Sequence, residues 1–372
     1  MNVFASVNII LGIVFLPIYL WESGGVQVSH IFLALGCASY ILWKGLRAKS
    51  PEKVLAVLAL FIFVRESMGV LGGVMDVRAF LPALYMLFNL IVFVTIRMWA
   101  SSIPNQQLLS YGLFAGAAVA ASGVLILGYG LTVDQEGGRA VGTFNNPNQL
   151  GYFAVCLYSC AVLLYYGRIL SARALLALVF VAGFLAIVSL SKAATVGLAT
   201  SLVCLLFVSG RSRKGLLYGV LGASLVLGTV LYLYAVGYLD GLAVTKRILE
   251  IGSDADDSLA GRGYHVLYQA RGWEIFFGLG ESGVKEFVGH EVHSTVGSVL
   301  ASYGLVGAGL FVTFLGLWAK RLYDVLGFTG LFVVGSSPML YGLTHNGIRF
   351  TMFWLFVGLS FVIGRGKRSG VP

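Results

Sequence analysis

The chain has 372 residues, of which 58% are hydrophobic and only 11% are charged. Soluble domains carry about 25% charged residues, so this composition excludes a water-soluble fold and predicts a protein embedded in lipid. The formal net charge of +9 does not indicate a nucleic-acid partner, because membrane proteins concentrate lysine and arginine on the cytoplasmic side.

Twelve apolar segments are long enough for membrane helices. The hydrocarbon core of a bilayer is about 30 Å thick and needs about 20 apolar residues per helix. We therefore expect an all-α polytopic fold that forms a single transmembrane domain over residues 1–372. The predicted helices cover 3–21, 28–43, 54–72, 79–96, 108–131, 149–166, 174–190, 193–209, 216–238, 293–318, 322–341 and 350–364. The third segment is unusual, because Arg65 and Glu66 stand in its outer half.

The distribution of charges agrees with this number of helices. If both termini are cytoplasmic, fifteen of the 25 lysine and arginine residues lie on the inner side, with two of the 16 acidic residues. A wrong number of helices would scramble this bias. The charges therefore predict an inner side rich in cations and an outer side that carries most of the acidic residues.

Two outer segments are long enough to carry function. They span residues 132–148 and 239–292, and the second precedes the tenth predicted helix. Long loops in compact proteins are usually functional. The stretches 244–251 and 264–277 mix apolar and polar residues, which predicts short interfacial helices within the larger loop.

The histidines all fall at or near the predicted outer face. His293 begins the tenth predicted helix, at the boundary between water and lipid. The positive end of the helix dipole favours a neutral imidazole, and a neutral imidazole accepts a proton, so His293 is the candidate general base. We interpret His30 as a helix-end residue and leave His265 open between a solvated and a functional residue. The remaining two are His290 and His345.

Cations also gather on the predicted outer side. Arginine binds phosphate oxygens through two parallel hydrogen bonds, and a cation at membrane depth is a candidate functional residue. The alternative is that these side chains extend to the membrane surface without binding a ligand. The cations are Arg139, Lys192, Arg247, Arg262, Arg271 and Arg349.

Residues 142–148 read Gly-Thr-Phe-Asn-Asn-Pro-Asn and precede a predicted helix. Asparagine and proline form turns and helix caps, so Asn148 is a candidate cap for a helix that begins at Gln149. Asparagine amides also suit sugar hydroxyls, which makes Asn146 and Asn148 candidate sugar ligands. The sequence leaves the cap and the sugar contact equally open.

The sequence indicates no metal, cofactor or disulfide. Residues 290–293 lack the HExxH spacing of a zinc site, and no Walker motif is present. The four cysteines lie in apolar segments without a CxxC pair. The acidic patch lacks the spacing of a calcium loop and consists of Asp254, Asp256 and Asp257.

Three stretches resemble the O-antigen ligase and polymerase superfamily, bacterial inner-membrane proteins that transfer lipid-linked glycans. Residues 142–148 are similar to the family's G-T-F-x-N-P-N stretch before a helix. Gly-Arg at 261–262, followed by Gly-Leu-Gly at 278–280, resembles the periplasmic segment with a phosphate-binding arginine. Residues 293–307 fit the ligase pattern H-[N/S/Q]-x9-G-x-x-[G/T/Y] without a gap, which is the most specific match.

The resemblance implies an inverting, metal-independent glycosyltransferase whose donor is a glycan on undecaprenyl diphosphate. It also implies that His293 deprotonates the acceptor hydroxyl and that Arg262 binds the diphosphate leaving group. Many members have Ser-x-Ser-Arg where residues 189–192 read Ser-Leu-Ser-Lys. Lys192 keeps the charge but lacks the forked donor geometry, and Arg139 is the candidate to compensate.

The resemblance leaves two acceptors open. A ligase transfers the glycan to an acceptor glycolipid, lipid A–core, whereas a polymerase transfers it to another lipid-linked repeat and would work with a chain-length regulator protein. Either enzyme would lie among the lipids of the inner membrane with its site facing the periplasm. The alternative is a secondary transporter or flippase without chemistry. Transporters place ionisable residues near the midplane, and here the segment interiors are almost free of charge.

Overall fold

The computed structural model describes residues 2–21, 25–71, 80–128, 139–209, 271–289 and 292–364. Most of these residues are helical, and this part of the chain contains no β-strand. A helix satisfies its backbone hydrogen bonds internally, as a segment surrounded by lipid must. The predicted all-α class is therefore confirmed.

Eight helices form before residue 210 in the described chain. They are α1 (Val3–Val14), α2 (Val28–Lys44), α3 (Ser50–Leu71), α4 (Leu81–Trp99), α5 (Ile103–Leu127), α6 (Pro147–Tyr166), α7 (Ala172–Val188) and α8 (Lys192–Ser209). After residue 270 the described chain forms five α-helices and one π-helical segment. They are α9 (Trp273–Phe277), α10 (Gly280–Val288), α11 (Thr295–Leu326), a π-helical segment over Gly330–Gly335, α12 (Ser336–Thr344) and α13 (Thr351–Ser360).

Five of these helices, α3, α4, α5, α6 and α11, are long and apolar enough to cross a bilayer. Six further apolar stretches of the described chain are shorter, at 10–17 residues. Together they lie at eleven of the twelve segments predicted from the sequence. The remaining segment, 216–238, lies outside the described residues.

The predicted boundary between the tenth and eleventh segments is wrong. The sequence suggested a break at residues 319–321, but α11 continues to Leu326. Lys320 forms an ion pair with Asp324 one turn later, over 2.8 Å, and such a pair supports a helix. The helix ends at Leu326, and the following Gly327 adopts a φ of +64°, a conformation that glycine adopts without strain.

The centre of the bundle is formed by α6 and α13. Every residue from Thr351 to Ser360 is buried, and so is every residue from Leu150 to Leu164. Peripheral helices instead turn large apolar side chains outward, and Phe180 of α7 is 77% exposed. Many exposed apolar side chains are expected where the surrounding solvent is lipid.

The two ends of the bundle differ in chemistry. At one end, Arg97 of α4 forms an ion pair with the buried Glu52 of α3 and donates to the carbonyl oxygen of Arg47 after α2. At the other end, α2, α4, α6, α11 and α13 begin, and α1 and α12 end. The cavity described next lies at this second end.

Candidate functional site

A polar cavity of about 310 Å³ lies among these helix ends. Its volume is at the lower end of the range typical of small-ligand sites. The structure thereby brings together five residues that the sequence singled out from separate segments. They are Asn146, Asn148, His293, His345 and Arg349.

His293 lies immediately before the cap of α11. The hydroxyl of Ser294 accepts a hydrogen bond from the Gly297 N–H over 3.1 Å, which makes Ser294 the N-cap. Ser294 is buried, whereas the neighbouring His293 is exposed where it lines the cavity. The His-Ser pair therefore starts the helix and presents an imidazole, near the positive end of the dipole, to any molecule bound there.

Thr295 joins the histidine to the loop between α12 and α13. Its hydroxyl donates to the carbonyl oxygen of His345 over 2.9 Å and accepts from the Gly347 N–H over 2.8 Å. Buried hydrogen bonds of this kind are costly to break. These hydrogen bonds therefore fix the position of His293 relative to the loop that carries Arg349.

The Asn-Pro-Asn stretch begins α6, but its cap differs from the expected one. Asn146, rather than Asn148, is the N-cap and accepts the Asn148 N–H over 2.7 Å, with Pro147 in the first turn. The Asn148 side-chain oxygen instead accepts from Arg139 over 2.7 Å, and its backbone carbonyl accepts the Tyr341 hydroxyl over 2.6 Å. The cap is thus Asn146, and both asparagines border the cavity.

The other polar residues of this stretch position the chain that follows α1. The hydroxyl of Thr143 donates to the carbonyl oxygen of Pro17 over 2.6 Å, and the Asn145 amide donates to that of Trp21. Between these two contacts lies Tyr19, which lines the cavity. Thr143 and Asn145 therefore do not line the cavity themselves but hold the segment that places Tyr19 in its wall.

Stacked aromatic rings form another wall that the sequence did not predict. The rings of Tyr152 and Tyr341 stack with centroids 4.3 Å apart, and Tyr341 stacks on His345 at 4.7 Å. All three residues line the cavity. Tyr152 and Tyr341 lie in apolar helices and carried no signal that separates them from ordinary core tyrosines.

Arg349 brings a cation to the cavity and is held by a carboxylate from α10. Its guanidinium forms an ion pair with Glu281, whose backbone N–H donates to the buried carboxylate of Glu66 over 3.0 Å. Burial lowers the pKa of Arg349, but an arginine stays charged near neutral pH. The cavity therefore contains a positive charge whose position depends on a short helix.

That short helix rests on a kink in α11. Gly304 interrupts the helix with a φ of +60°, and a Cβ there would lie 2.4 Å from the carbonyl of Phe276. The opposing Gly278 has a φ of +71°, and its Cβ would lie 2.3 Å from the carbonyl of Ser302. The first glycine of the histidine pattern therefore marks a backbone contact between α11 and the chain joining α9 to α10.

Arg65 secures the same contact from α3. Its Nε and Nη2 both donate to the carbonyl oxygen of Gly278, over 3.1 and 3.0 Å. Arg65 and Glu66, which interrupt an otherwise apolar segment, therefore bind residues 278–281. The sequence analysis predicted no such contact, although a charged pair at membrane depth is the kind of signal that indicates one.

Other predicted site residues lie elsewhere in the described chain. Arg139 does not line the cavity and reaches it through Asn148, while its Nε donates to the carbonyl oxygen of Ser189 over 3.1 Å. Lys192 begins α8, and Arg271 is exposed before α9. Some predicted residues lie outside the described residues, namely Arg247, Asp254, Asp256, Asp257, Arg262, His265 and His290.

Within the described ranges, no group of three or more His, Cys, Asp or Glu side chains is arranged to hold a metal ion. The chain also matches no protein-family model and no curated protein.

Proposed function

We propose that the chain is a lipid-linked glycan transferase of the O-antigen ligase and polymerase type. One observation carries the proposal: residues 142–148 and 293–307, two of the three stretches that resemble this superfamily, meet at one polar cavity although they are far apart in the sequence. The loop 345–349 adds an imidazole and a guanidinium. Amides, imidazoles and stacked rings suit a sugar, and the cation suits a phosphate.

In the proposed reaction His293 takes the proton of an acceptor hydroxyl. The hydroxyl oxygen attacks the anomeric carbon of the donor glycan and forms the new glycosidic bond with inversion. The bond from that carbon to the diphosphate oxygen breaks, and undecaprenyl diphosphate leaves with the electron pair. A diphosphate is a good leaving group, so positioning, one base and stabilisation of negative charge suffice.

Arg349 is the described cation best placed to stabilise the departing diphosphate. It lines the cavity with His293, and arginine offers several donors to phosphate oxygens. Arg262 is the second proposed ligand, on the strength of the resemblance alone. Arg139 acts through Asn148, which it holds by a hydrogen bond.

The proposed topology has twelve membrane helices, cytoplasmic termini and a site facing the periplasm of a bacterial inner membrane. This topology is supported by two observations, the position of the basic residues and the position of the cavity, which lie at opposite ends of the bundle. Arg47 and Arg97 lie at the end of the bundle predicted to be cytoplasmic. The cavity lies among helix ends that the predicted alternation puts on the opposite side.

The proposal can be tested with purified protein in lipid nanodiscs. The donor would be undecaprenyl-diphosphate-linked repeat units extracted from the source bacterium. One reaction would contain lipid A–core as acceptor, and a second only the lipid-linked repeat, so that the products distinguish a ligase from a polymerase. Wild type would be compared with His293→Ala and with Thr313→Ala, an exposed position on α11.

We expect transfer by wild type and Thr313→Ala, and loss of transfer in His293→Ala by at least about a hundredfold, the usual contribution of a general base. Undiminished transfer by His293→Ala would overturn the assignment of the base. If undecaprenyl diphosphate is released with neither acceptor, the transferase proposal fails. Movement of the lipid-linked glycan across a bilayer would then favour a flippase.

A further inference from the structure

His30 lies in the first turn of α2 and lines the cavity, although the sequence indicated only a helix-end residue. The backbone N–H of Gln27 donates to its Nδ1 over 3.1 Å. A backbone N–H can only donate, so Nδ1 must carry the lone pair. The hydrogen of the neutral ring therefore lies on Nε2.

The neighbours of the ring hold it in this orientation. Phe88 meets the imidazole edge-on, with ring centroids 5.3 Å apart. The Gln27 side chain accepts hydrogen bonds from the N–H groups of Leu20 and Trp21 over 3.0 and 3.3 Å, which anchors the helix start that binds Nδ1. The ring therefore has a defined orientation, with Nε2 on the side of Thr351.

Among the residues that the structure describes, Nε2 has one neighbour within hydrogen-bond range, and it lies at the limit of that range. The hydroxyl of Thr351 lies 3.5 Å away, where a hydrogen bond is weak. Both side chains border the cavity. A ligand oxygen that lies in the cavity beside both groups could accept from Nε2–H at an ordinary hydrogen-bond distance of about 2.9 Å, and the threonine hydroxyl can donate or accept alongside.

We propose that His30 binds the glycan by donating its Nε2–H to a sugar oxygen in the cavity, an assignment that rests on the proposed transferase function. A neutral ring with one N–H and an adjacent hydroxyl suits an uncharged sugar oxygen, whereas Arg349 suits the diphosphate. Nε2 already holds a hydrogen and Nδ1 is occupied by Gln27, so His30 is no general base. His293 and His30 thus have different roles at one cavity.

A matched pair of variants separates sugar binding from helix capping. A glutamine or glutamate at this third helical position can accept the same backbone N–H, so both His30→Gln and His30→Glu preserve the start of α2. Only glutamine offers an N–H to the cavity. We expect His30→Gln to bind the donor within a few-fold of wild type and His30→Glu to bind about tenfold more weakly, as for a lost hydrogen bond.

His30→Met provides a neutral side chain without a donor and controls for the charge of glutamate. We expect it also to weaken donor binding about tenfold, measured only on protein that elutes as a folded monodisperse peak. The probe is a radiolabelled undecaprenyl-diphosphate-linked repeat. Its binding is measured with the His293→Ala protein in nanodiscs and without lipid A–core, where turnover is at least about a hundredfold slower. If all three variants bind the donor as well as His293→Ala alone, His30 is only a capping residue and the inference is overturned.

The kinetic readout separates this inference from the proposed function. With His293 present, we expect His30→Gln to keep the pH dependence of transfer seen in wild type, because the base is unchanged. A changed pH dependence in His30→Gln would contradict the donor role. Absence of transfer by wild type would defeat the proposed function, whereas transfer that no His30 variant alters would defeat this inference alone.

Discussion

Glu281 of α10 forms an ion pair with Arg349 of the loop before α13. The pair joins the short helices after residue 270 to the cavity, because Arg349 lines the cavity and Glu281 does not. The Arg349 side chain is 28% exposed and that of Glu281 is 23% exposed. In the Lys320–Asp324 pair on α11 the corresponding values are 70% and 48%. Because it is better shielded from water, the Glu281–Arg349 pair should contribute more to the free energy of unfolding than the Lys320–Asp324 pair.

A double-mutant cycle measures that difference. We expect Glu281→Gln and Arg349→Gln, alone and combined, to give a coupling energy of about 1.5–3 kcal/mol, as for charged hydrogen bonds shielded from water. The control cycle with Lys320→Gln and Asp324→Asn should give about 0.3–0.5 kcal/mol. The free energy of unfolding would be measured by SDS titration in mixed micelles. Equal coupling in the two cycles would show that the pair does not hold the cavity.

The backbone packs so closely at Gly278 and at Gly304 that we expect a methyl group on either residue to destabilise the protein. Both residues have positive φ, and a Cβ on either would overlap a backbone carbonyl. We expect Gly304→Ala and Gly278→Ala each to lower the free energy of unfolding by at least about 2 kcal/mol, from backbone strain and overpacking. Thermal unfolding of the detergent-solubilised protein would measure the effect.

Two other glycines of α11 are matched controls for that substitution. A Cβ on Gly309 or Gly316 would have nothing within 4 Å. Alanine is the better helix former by about 1 kcal/mol, so Gly309→Ala and Gly316→Ala should leave stability unchanged or raise it. The proposed backbone contact is absent if Gly304→Ala behaves like these controls.

Arg139 is expected to act on the cavity through Asn148. An aspartate at position 148 keeps an oxygen acceptor for the guanidinium, whereas leucine removes it. We therefore expect Asn148→Asp to retain stability and Asn148→Leu to lose about 1.5–3 kcal/mol, the contribution of a hydrogen bond to a charged group. Arg271→Ala, a change at an exposed arginine, should alter thermal stability by less than about 0.5 kcal/mol. A stable Asn148→Leu would show that Arg139 has no structural role there.

Much of the helical framework could be predicted from the sequence, because each segment's apolar length is a local property. The exception at residues 319–321 shows the limit of that reasoning. Lys320 and Arg321 looked like a cytoplasmic loop, but Arg321 donates to the carbonyl oxygens of Phe361 and Ile363 at the end of α13. Only the packing of two helices reveals that these acceptors are within reach.

The candidate site was predictable in its residue types but not in its connections. His293 stood out through its place at a helix start, and Asn146 through the turn chemistry of its neighbours. No local pattern could pair Glu281 with Arg349 or show which nitrogen of His30 accepts the Gln27 N–H. Those relationships depend on how α2, α10 and α13 approach one another, which apolar periodicity does not encode.

Arg65 provides the last prediction, because its two hydrogen bonds to Gly278 hold residues 278–281 against α3 and α11. Arg65→Leu should keep the apolar helix but release this contact, which lowers the free energy of local opening by about 1.5–3 kcal/mol. Backbone amides of α10 should then exchange with deuterium at least about tenfold faster, since exchange follows local opening. Hydrogen-exchange mass spectrometry of peptides covering 280–288 would measure this. Lys53→Leu, at an exposed position near the other end of α3, is the control and should leave that exchange unchanged. Equal exchange in Arg65→Leu and wild type would mean that the other backbone contacts of residues 278–281 hold the short helix without help from Arg65.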